Sequence, residues 1–495
     1  MKRLTSLLED LNKAKIKYRV FGQKDIDVTN IYDDSRKVKK GGLFVAIKGL
    51  RSDGHNFVDQ AIKNKAAVVV VERIPKSYKG EVTVVKVNDT RSALAILSSS
   101  WFGNPSKKLK VIGITGTDGK TTTATLISQI LNNNSKKCGL ITTVNVQIGK
   151  KSYDTGRLTT PGALSIQSFL SKMVKAGCRY AVIEVSSHAI DQKRVQGVDF
   201  EIGVLTNVTK WEHSDYHGGF RLYRDAKAEL LKKSKKVVLN KDDVFYTFFL
   251  SKYKDRKVIS YGIEKNADFK VSSVRLKSTG TQFLINKEYK IDSRLLGVFN
   301  VYNLVAAISA SRILGISWEG ILRSIHFIRP PEGRLDAFKN NKNINIFIDY
   351  AHTPNGLESC LSTLRSIYPD KRIIALVGAE GGRDVIKRQL MGAVSTKYAD
   401  YTIFTSVDPG LEKEENILKD LEKGATGGYI SIPDRGEAIA EAIQNIARRS
   451  DVVVICGKGH ERYIDYKGVD YYWSDREAVR IALRGEVYAL GKIYN

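Results

Sequence analysis

Cysteine is scarce in this chain: Cys138, Cys178, Cys360 and Cys456 are the only four in 495 residues, and no two form a C-x-x-C pair. Widely separated single cysteines make neither a zinc module nor a disulfide framework, and they read as core thiols in a reducing compartment. Long apolar runs are missing too. No stretch approaches the roughly 18 residues needed to span a bilayer, so no stable membrane insertion is expected. Met1 to Tyr18 scatters Lys and Glu and has no continuous apolar core, so no signal peptide is expected and the location reads as cytoplasmic. There is no internal repeat and no low-complexity segment.

Acidic residues are also short, 53 against 80 Lys and Arg, for a formal charge of +27. The excess is spread in small groups such as Lys39-Lys40, Lys107-Lys108, Lys136-Lys137 and Lys235-Lys236. No basic helix, zinc module or aromatic-plus-basic signature accompanies them, so no nucleic-acid partner is expected. A solvated basic surface is the better reading, with some steering of polyanionic substrates toward positive clefts.

What is present is a soluble globular composition, 42% hydrophobic and 27% charged, in a chain too long for one core. Strand-like runs at Ala66–Val71 and Val82–Val87 precede a helical pattern at Thr90–Trp101. Phe102-Gly103-Asn104-Pro105-Ser106 then punctuates the chain. Strands at Leu140–Thr143, Tyr180–Val185, Ile202–Asn207 and Lys236–Asn240 alternate with helices, which argues a parallel α/β sheet. Residues 267–292 read as antiparallel strands. A second break falls at Ile328–Gly333, and a further α/β series follows, with strands at Ile344–Ile348, Ile373–Val377, Tyr401–Thr405 and Val452–Cys456. Three α/β domains are expected, at 1–105, 106–331 and 332–495.

The most informative stretch runs from Gly113 to Thr123. An apolar strand, Leu109 to Ile114, leads into Gly116-Thr117-Asp118-Gly119-Lys120-Thr121-Thr122, and Ala124 to Leu131 is a good helix former. A strand, a glycine turn and a helix N-terminus make a phosphate site: backbone amides point inward, the helix dipole favours an anion, and Lys120 adds a cation. Thr121 stands where a P-loop offers its hydroxyl to magnesium. The spacing departs from the plain G-x-x-x-x-G-K-[ST], because Ile114 occupies the first glycine's place.

Two further segments carry chemistry. Tyr180–Glu184 is an apolar strand ending in a carboxylate, followed by Val185-Ser186-Ser187-His188. A lone strand-end Glu is ordinarily surface; with hydroxyls and an imidazole beside it, a magnesium ligand is the better reading. Glu212-His213-Ser214-Asp215-Tyr216-His217 packs two carboxylates and two histidines into six residues after the next strand.

With these segments in view the chain resembles the Mur ligases, ATP-dependent amide-bond ligases of peptidoglycan precursor synthesis. In detail it is similar to the MurE type, which adds the third residue to UDP-N-acetylmuramoyl-L-alanyl-D-glutamate. The matching segments span the chain: Asp34-Ser35-Arg36, Gly42–Ala46, the phosphate loop, Thr159-Thr160-Pro161, Glu184–His188, Gln192-Lys193-Arg194 and Tyr223–Lys227. They continue with Phe299–Asn303, Gly333-Arg334, Asp349–Pro354 and Gly457–Glu461.

The resemblance implies a three-domain α/β architecture, with a central P-loop-type ATPase domain and a Rossmann-like C-terminal domain. It implies ATP as co-substrate and Mg2+ as cofactor. Lys120, Glu184, His213 and Lys227 would be catalytic, and Thr121, Glu184, His213 and Lys227 would hold metal. Lys227, which by itself reads as a solvated lysine on an amphipathic helix, would be carbamylated, a change that requires a neutral amine. ATP would be bound by Gly116, Thr117, Asp118, Gly119, Lys120, Thr121, Thr122, Asn300, Asn303, Arg334, Asp349 and His352. The bland readings of three of these remain: Asn300 and Asn303 as helix caps, Asp349 as a strand terminator. The UDP-sugar dipeptide would be held by Ser35, Thr159, Thr160, Ser186, Gln192 and Arg194. The incoming free amino acid would be held by Arg383, Asp408, Gly457 and Glu461. A monomer is expected.

Some positions depart from the family pattern. Asp118 replaces the usual Asn of the loop, and Glu212 the Asp common before His213. Leu158 stands where some relatives have a polar contact. At Val407-Asp408-Pro409-Gly410, members that add meso-diaminopimelate carry Asp-Asn-Pro-Arg, whose Arg pairs with the distal carboxylate. Gly410 has no such side chain, so L-lysine is expected, with Asp408 and Glu461 placing negative charge near an ammonium group. The competing readings are a D-alanyl-D-alanine-adding relative, a folylpolyglutamate synthetase and an inactive scaffold. Glu184–His188 and Gly457–Glu461 stand against the first, the Asp34-Ser35-Arg36 signature against the second, and the intact Lys120, Glu184, His213 and Lys227 against the third.

Overall fold

The structure is a computed structural model that describes residues 1–49, 52–74, 78, 80–156, 158–209, 218–253, 256–382 and 385–491. It divides into two compact units, Met1–Tyr261 with Ala306–Ile316, and Gly262–Val305 with Ser317–Asn495.

The first unit begins with a five-stranded sheet. Its strands are β1 (Tyr18–Phe21), β2 (Ile31–Tyr32), β3 (Leu43–Val45), β4 (Val68–Val71) and β5 (Thr83–Val87), in the order β1-β5-β4-β3-β2. Only the β1–β5 pair is antiparallel. Val68 to Val71 are all buried, as expected of a central parallel strand covered on both faces. Helix α1 (Thr90–Trp101) starts where the Asp89 carboxylate accepts the Arg91 and Ser92 amides at 2.9 and 3.1 Å, a side-chain N-cap.

A second, larger sheet of the same unit contains β6 (Lys110–Thr115), β7 (Cys138–Ile141), β8 (Val146–Ile148), β9 (Lys151–Tyr153), β10 (Tyr180–Glu184), β11 (Phe200–Leu205), β12 (Ser234–Asn240) and β13 (Lys257–Gly262). They lie in the order β9-β8-β7-β10-β6-β11-β12-β13. From β7 to β13 the pairing is parallel, and β8 and β9 form an antiparallel hairpin on the edge. Three of its helices matter here: α2 (Lys120–Asn133), α3 (Ser187–Asp191) and α4 (Phe220–Lys232). Helix α2 runs beyond the expected 124–131 at both ends. Its threonines are buried at the start, so β-branched residues of modest helix propensity are held by packing.

The second unit opens with an antiparallel meander, β14 (Phe269–Lys277), β15 (Gly280–Ile285) and β16 (Tyr289–Ser293), followed by the N-terminal half of helix α5 (Val298–Ile313), which belongs to this unit as far as Val305. Its main sheet holds β17 (Asp336–Phe338), β18 (Asn345–Asp349), β19 (Ile373–Ala379), β20 (Tyr401–Ser406), β21 (Tyr429–Ser431) and β22 (Val452–Cys456). The order is β17-β18-β22-β19-β20-β21, parallel except for β17. Helices α6 (Pro354–Ile367) and α7 (Val385–Tyr398) lie in the βα connections. Thr353 caps α6 by accepting the Gly356 amide at 3.0 Å, and Pro354 takes the first helical position, where an amide has no intrahelical partner. All four cysteines are buried and free. No helix among the described residues is long and apolar enough to cross a membrane.

Candidate active site

In the larger sheet of the first unit, β7, β10, β6, β11, β12 and β13 all point the same way. The loop after β6, Glu184 at the end of β10 and the segment after β7 therefore share one edge of the sheet. Pairing fixes this register, with Glu184 opposite Ile114 and Ile183 opposite Ile141. The carboxyl ends of parallel strands are where open α/β sheets bind ligands.

The phosphate loop is tied to the neighbouring strand end. Thr117 N donates to the Asn207 carbonyl and Asp118 N to Asn207 Oδ1, both at 2.9 Å, while Thr206 Oγ1 donates to the Asp118 carbonyl at 2.6 Å. Only glycine fits at 116, since a Cβ there would stand 1.8 Å from Thr206 Oγ1. Lys120 Nζ donates to the Thr117 carbonyl at 2.7 Å, which folds the ammonium back over the loop. Gly119 is the N-cap of α2, and Thr121 and Thr122 are buried in its first turn.

Glu184 is 2% exposed and collects donors. Thr121 Oγ1 donates to its Oε1 and Oε2 at 3.0 and 2.9 Å, and Thr143 gives its amide and hydroxyl to Oε2 at 2.9 and 3.0 Å. Thr143 was missed by sequence reasoning; its signal was its place just past a strand that neighbours β10. The donor set suits a hard divalent cation. Thr121 supplies a hydroxyl oxygen, and Oε1 of Glu184 keeps more free acceptor capacity than Oε2.

Lys227 is 1% exposed, contrary to the solvated lysine that its helix pattern alone suggests. Its Nζ donates to the Gly116 carbonyl at 2.6 Å and lies 4.3 Å from the Tyr223 ring centroid. Tyr223 in turn shares a 2.9 Å hydrogen bond with Thr117 Oγ1. Helix α4 thus brings one lysine and one tyrosine onto the phosphate loop. His213, with the rest of Glu212–His217, lies outside the described residues, as does Arg383.

A second cluster adjoins Glu184. Thr160 Oγ1 donates to the Glu184 carbonyl at 2.8 Å and accepts the Ser186 amide at 3.0 Å. Arg194 Nη1 donates to the Thr160 carbonyl at 2.6 Å, and its Nε and Nη2 grip Gln192 Oε1 at 3.1 and 2.7 Å. Ser186 also caps α3. Thr159 beside them is half-buried. Ser35 sits in a one-turn helix of the N-terminal sheet region, capped by Asp34, and its carbonyl accepts Asn64 Nδ2 at 2.9 Å.

In the second unit, Asn300 and Asn303 lie inside α5 and do not cap it. Asn300 Nδ2 donates to the Leu296 carbonyl at 2.9 Å, and Asn303 Nδ2 to Asn300 Oδ1 at 3.1 Å. Asp349 ends β18, as a bland reading allowed, yet its carboxylate also accepts the Leu335 and Ala351 amides at 2.6 and 2.8 Å. Burial pushes the Asp349 carboxyl up, against the pull of Arg334 and of those two amides. The Arg334 guanidinium lies 4.3 Å from the Tyr350 ring centroid, and His352 Nδ1 is 2.8 Å from the Tyr350 carbonyl.

The amino-acid residues expected near β20 and β22 are brought together around a cation that sequence reasoning left out. Lys458 is fully buried, with its Nζ 2.7 Å from Asp408 Oδ2 and 2.5 Å from Glu461 Oε2. Burial alone would lower this lysine, but Glu461 and Asp408 outweigh it and keep the ammonium charged. Tyr350 donates its hydroxyl to Glu461 Oε1 at 3.2 Å. Asp408 and Glu461 are therefore not two free charges awaiting an ammonium; with Lys458 they form a cluster of formal charge −1. Gly457, at the end of β22, donates its amide to the Asp349 carbonyl at 3.1 Å.

Comparison with known proteins bears on the family and the fold. Residues 27–101 match the Mur ligase family, catalytic domain, residues 114–311 the Mur ligase middle domain, and residues 333–459 the Mur ligase, glutamate ligase domain. A UDP-N-acetylmuramoyl-L-alanyl-D-glutamate--2,6-diaminopimelate ligase of Geobacillus kaustophilus is 38% identical over 473 residues, covering 92% of this chain and 95% of the relative. One from Clostridium perfringens is 38% identical over 492 residues, covering 98% and 100%. A solved structure of a ligase of that name aligns with a TM-score of 0.67 at 29% identity, over 94% of this chain and 96% of the other. The MurF ligase of Thermotoga maritima in complex with ADP shares the fold, with a TM-score of 0.63 at 20% identity over 92% and 97%. The fold is the three-domain α/β architecture of these enzymes, with a central P-loop-type ATPase domain and a Rossmann-like C-terminal domain. The chain belongs to the Mur ligase family, and within it to the MurE type of ATP-dependent ligase.

Proposed function

We propose that this enzyme joins an amino acid to UDP-N-acetylmuramoyl-L-alanyl-D-glutamate at the expense of ATP, as a cytoplasmic step of peptidoglycan precursor synthesis. The observation that carries the reading is the shared sheet edge that bears the Gly116–Thr122 loop and the donor-rich Glu184, with Lys227 of α4 buried against the Gly116 carbonyl. In this reading a carboxylate of the dipeptide attacks the γ-phosphate of ATP and expels ADP; the amino group of the incoming amino acid then attacks the acyl phosphate, forming the amide and releasing inorganic phosphate and a proton. Two anions must approach, so the chain's own task is to neutralise and aim them. Loop amides and Lys120 take the nucleotide phosphates. Thr121, Glu184, His213 and carbamylated Lys227 would hold magnesium, which supplies charge neutralisation when bound. Thr159, Thr160, Ser186, Gln192, Arg194 and Ser35 would take the nucleotide-sugar dipeptide. Asn300, Asn303, Arg334, Asp349 and His352 would take base and ribose. The domain limits at 1–105, 106–331 and 332–495 belong to the same reading, as does a monomeric state.

For the incoming amino acid the reading is L-lysine, held by Arg383, Asp408, Gly457 and Glu461. Its support is Gly410, which offers no guanidinium to a second carboxylate, and the formal −1 charge of the Asp408–Lys458–Glu461 cluster. The second reading is meso-diaminopimelate, favoured by the names of the relatives at 38% identity. The experiment is phosphate release from ATP with the UDP-dipeptide and a panel of amino acids. Turnover that needs both substrates supports the ligase reading. Turnover indifferent to the dipeptide overturns it, and a clear preference for meso-diaminopimelate overturns the lysine choice.

A further inference from the structure

Two loops of the second unit, the turn after β19 and the segment after β20, are joined by contacts that no assigned role requires. Gly381 N donates to the Asp408 carbonyl at 3.0 Å, and a Cβ at Gly381 would meet the Pro409 carbonyl oxygen at 1.9 Å. Gly382 N donates to Glu412 Oε2 at 2.7 Å. Behind both stands Arg388, on the first turn of α7 and 1% exposed. Its Nη1 and Nη2 take Glu412 Oε1 and Oε2 at 2.7 and 2.6 Å, a bidentate fork. Nη2 also donates to the Glu380 carbonyl at 3.1 Å, and Nη1 to Asp420 Oδ2 at 3.2 Å.

One guanidinium therefore grips the carboxylate that ends one loop and the carbonyl that opens the other, and that same carboxylate holds an amide of the opposite turn. Burying so much charge is costly unless the geometry is required, because an apolar packing would serve stability as well or better. The segment after β20 carries Asp408, which faces Lys458 and Glu461.

We infer that Arg388 and Glu412 are a positioning pair for the incoming amino acid. They fix the Glu380–Gly382 turn against Asp408–Gly410, and so set affinity for that substrate without touching it. This rests on the ligase reading above, and its effect falls on one substrate of three. A shift of about 1 Å in a binding group is enough to cost as much as ~100-fold in rate, so the loss on unfastening the loops is large.

The test uses the full-length enzyme and the variants Glu412→Gln, Arg388→Lys and Arg388→Gln. KM and kcat are measured separately for ATP, the UDP-dipeptide and the amino acid, with the thermal midpoint recorded for each variant. Glu412→Gln is expected to raise the amino-acid KM about tenfold or more while leaving the ATP and dipeptide KM near wild type. Arg388→Lys keeps the charge without the fork and is expected to fall between wild type and Arg388→Gln. Glu412 is partly exposed, so its variant keeps the test alive if the arginine variants do not fold. An unchanged amino-acid KM in Glu412→Gln, or an equal rise in all three KM values, overturns the inference while the ligase reading stands. A wild-type enzyme without dipeptide- and amino-acid-dependent turnover overturns both.

Discussion

The Thr121 hydroxyl donates to both carboxylate oxygens of Glu184, at 3.0 and 2.9 Å, across 63 residues of sequence. The first turn of the phosphate-loop helix and the end of a neighbouring strand are thereby one unit. Glu184→Gln preserves the shape and removes the charge. It is expected to lower kcat by about 100-fold and to raise the magnesium concentration needed for half-maximal rate. A magnesium titration of phosphate release reads both, and a variant with wild-type magnesium dependence would take Glu184 out of the metal site.

Lys120→Ala is expected to abolish ligation, because the loop keeps its amides but loses the ammonium now folded onto the Thr117 carbonyl. The loss should reach at least ~10²-fold in kcat, as for the removal of a preorganised charge-stabilising donor. Single-turnover phosphate release with an unchanged thermal midpoint is the measurement, and near-normal turnover would exclude the lysine from the mechanism.

Lys227 is expected to carry a carbamate in the active enzyme. Lys227→Ala should lose most activity and recover part of it in acetate, which returns a carboxylate to the space left empty. Labelled bicarbonate gives an independent readout: a carbamate carbon resonance should be present in the wild type and missing from the variant. Its absence from the active wild type would refute the assignment.

Acid stability should depend on Glu412. The Arg388 hydrogen bonds hold its carboxyl down to about 2, against an ordinary 4.5, with burial opposing them. Between those values the unfolded chain binds more protons than the folded one, so stability rises with pH across the window. Glu412's contribution is complete above about pH 4.5 and lost as pH falls toward 2. Wild type and Glu412→Gln should therefore differ in thermal midpoint at neutral pH and converge in strong acid. A gap that stays constant across that window would contradict the ion pair.

Selectivity should move with position 410. A Cβ on Gly410 meets nothing within 4 Å, although its φ of +59° strains any other residue. That strain costs about 1–2 kcal/mol. Gly410→Arg is expected to shift the ratio of kcat/KM for meso-diaminopimelate over L-lysine upward by about tenfold. An unchanged ratio would locate the choice of amino acid elsewhere.

The parts of this site that could be read in the sequence are those written in consecutive residues. The Gly116–Lys120 turn, the strand ending in Glu184 and the helix pattern around Lys227 each announce themselves within a short window; the structure sets the first two on one sheet edge and brings Lys227 against the Gly116 carbonyl. What could not be read arises from pairing between distant segments. Thr143 meets Glu184 across 41 residues, and Lys458 meets Asp408 across 50. Arg388 reaches Glu412 across 24, from a helix to the far side of the next strand. The burial of Lys227 was likewise hidden, because an amphipathic pattern does not say which cation turns inward. The sheets were legible where valine and isoleucine run unbroken, as at Val68–Val71 and Val452–Cys456. The edge hairpin Val146–Tyr153 was not, because polar residues and Gly149 interrupt it.

The anchoring of the phosphate loop on Thr206 and Asn207 bears on how a nucleotide is received. A turn held to the neighbouring strand end by the Thr117 and Asp118 amides and the Asp118 carbonyl has few other shapes to adopt, so little order is left to be imposed on arrival. The loop acts as a rigid mould whose contour exists before its cargo, and much of the entropy of shaping it was spent when the sheet folded.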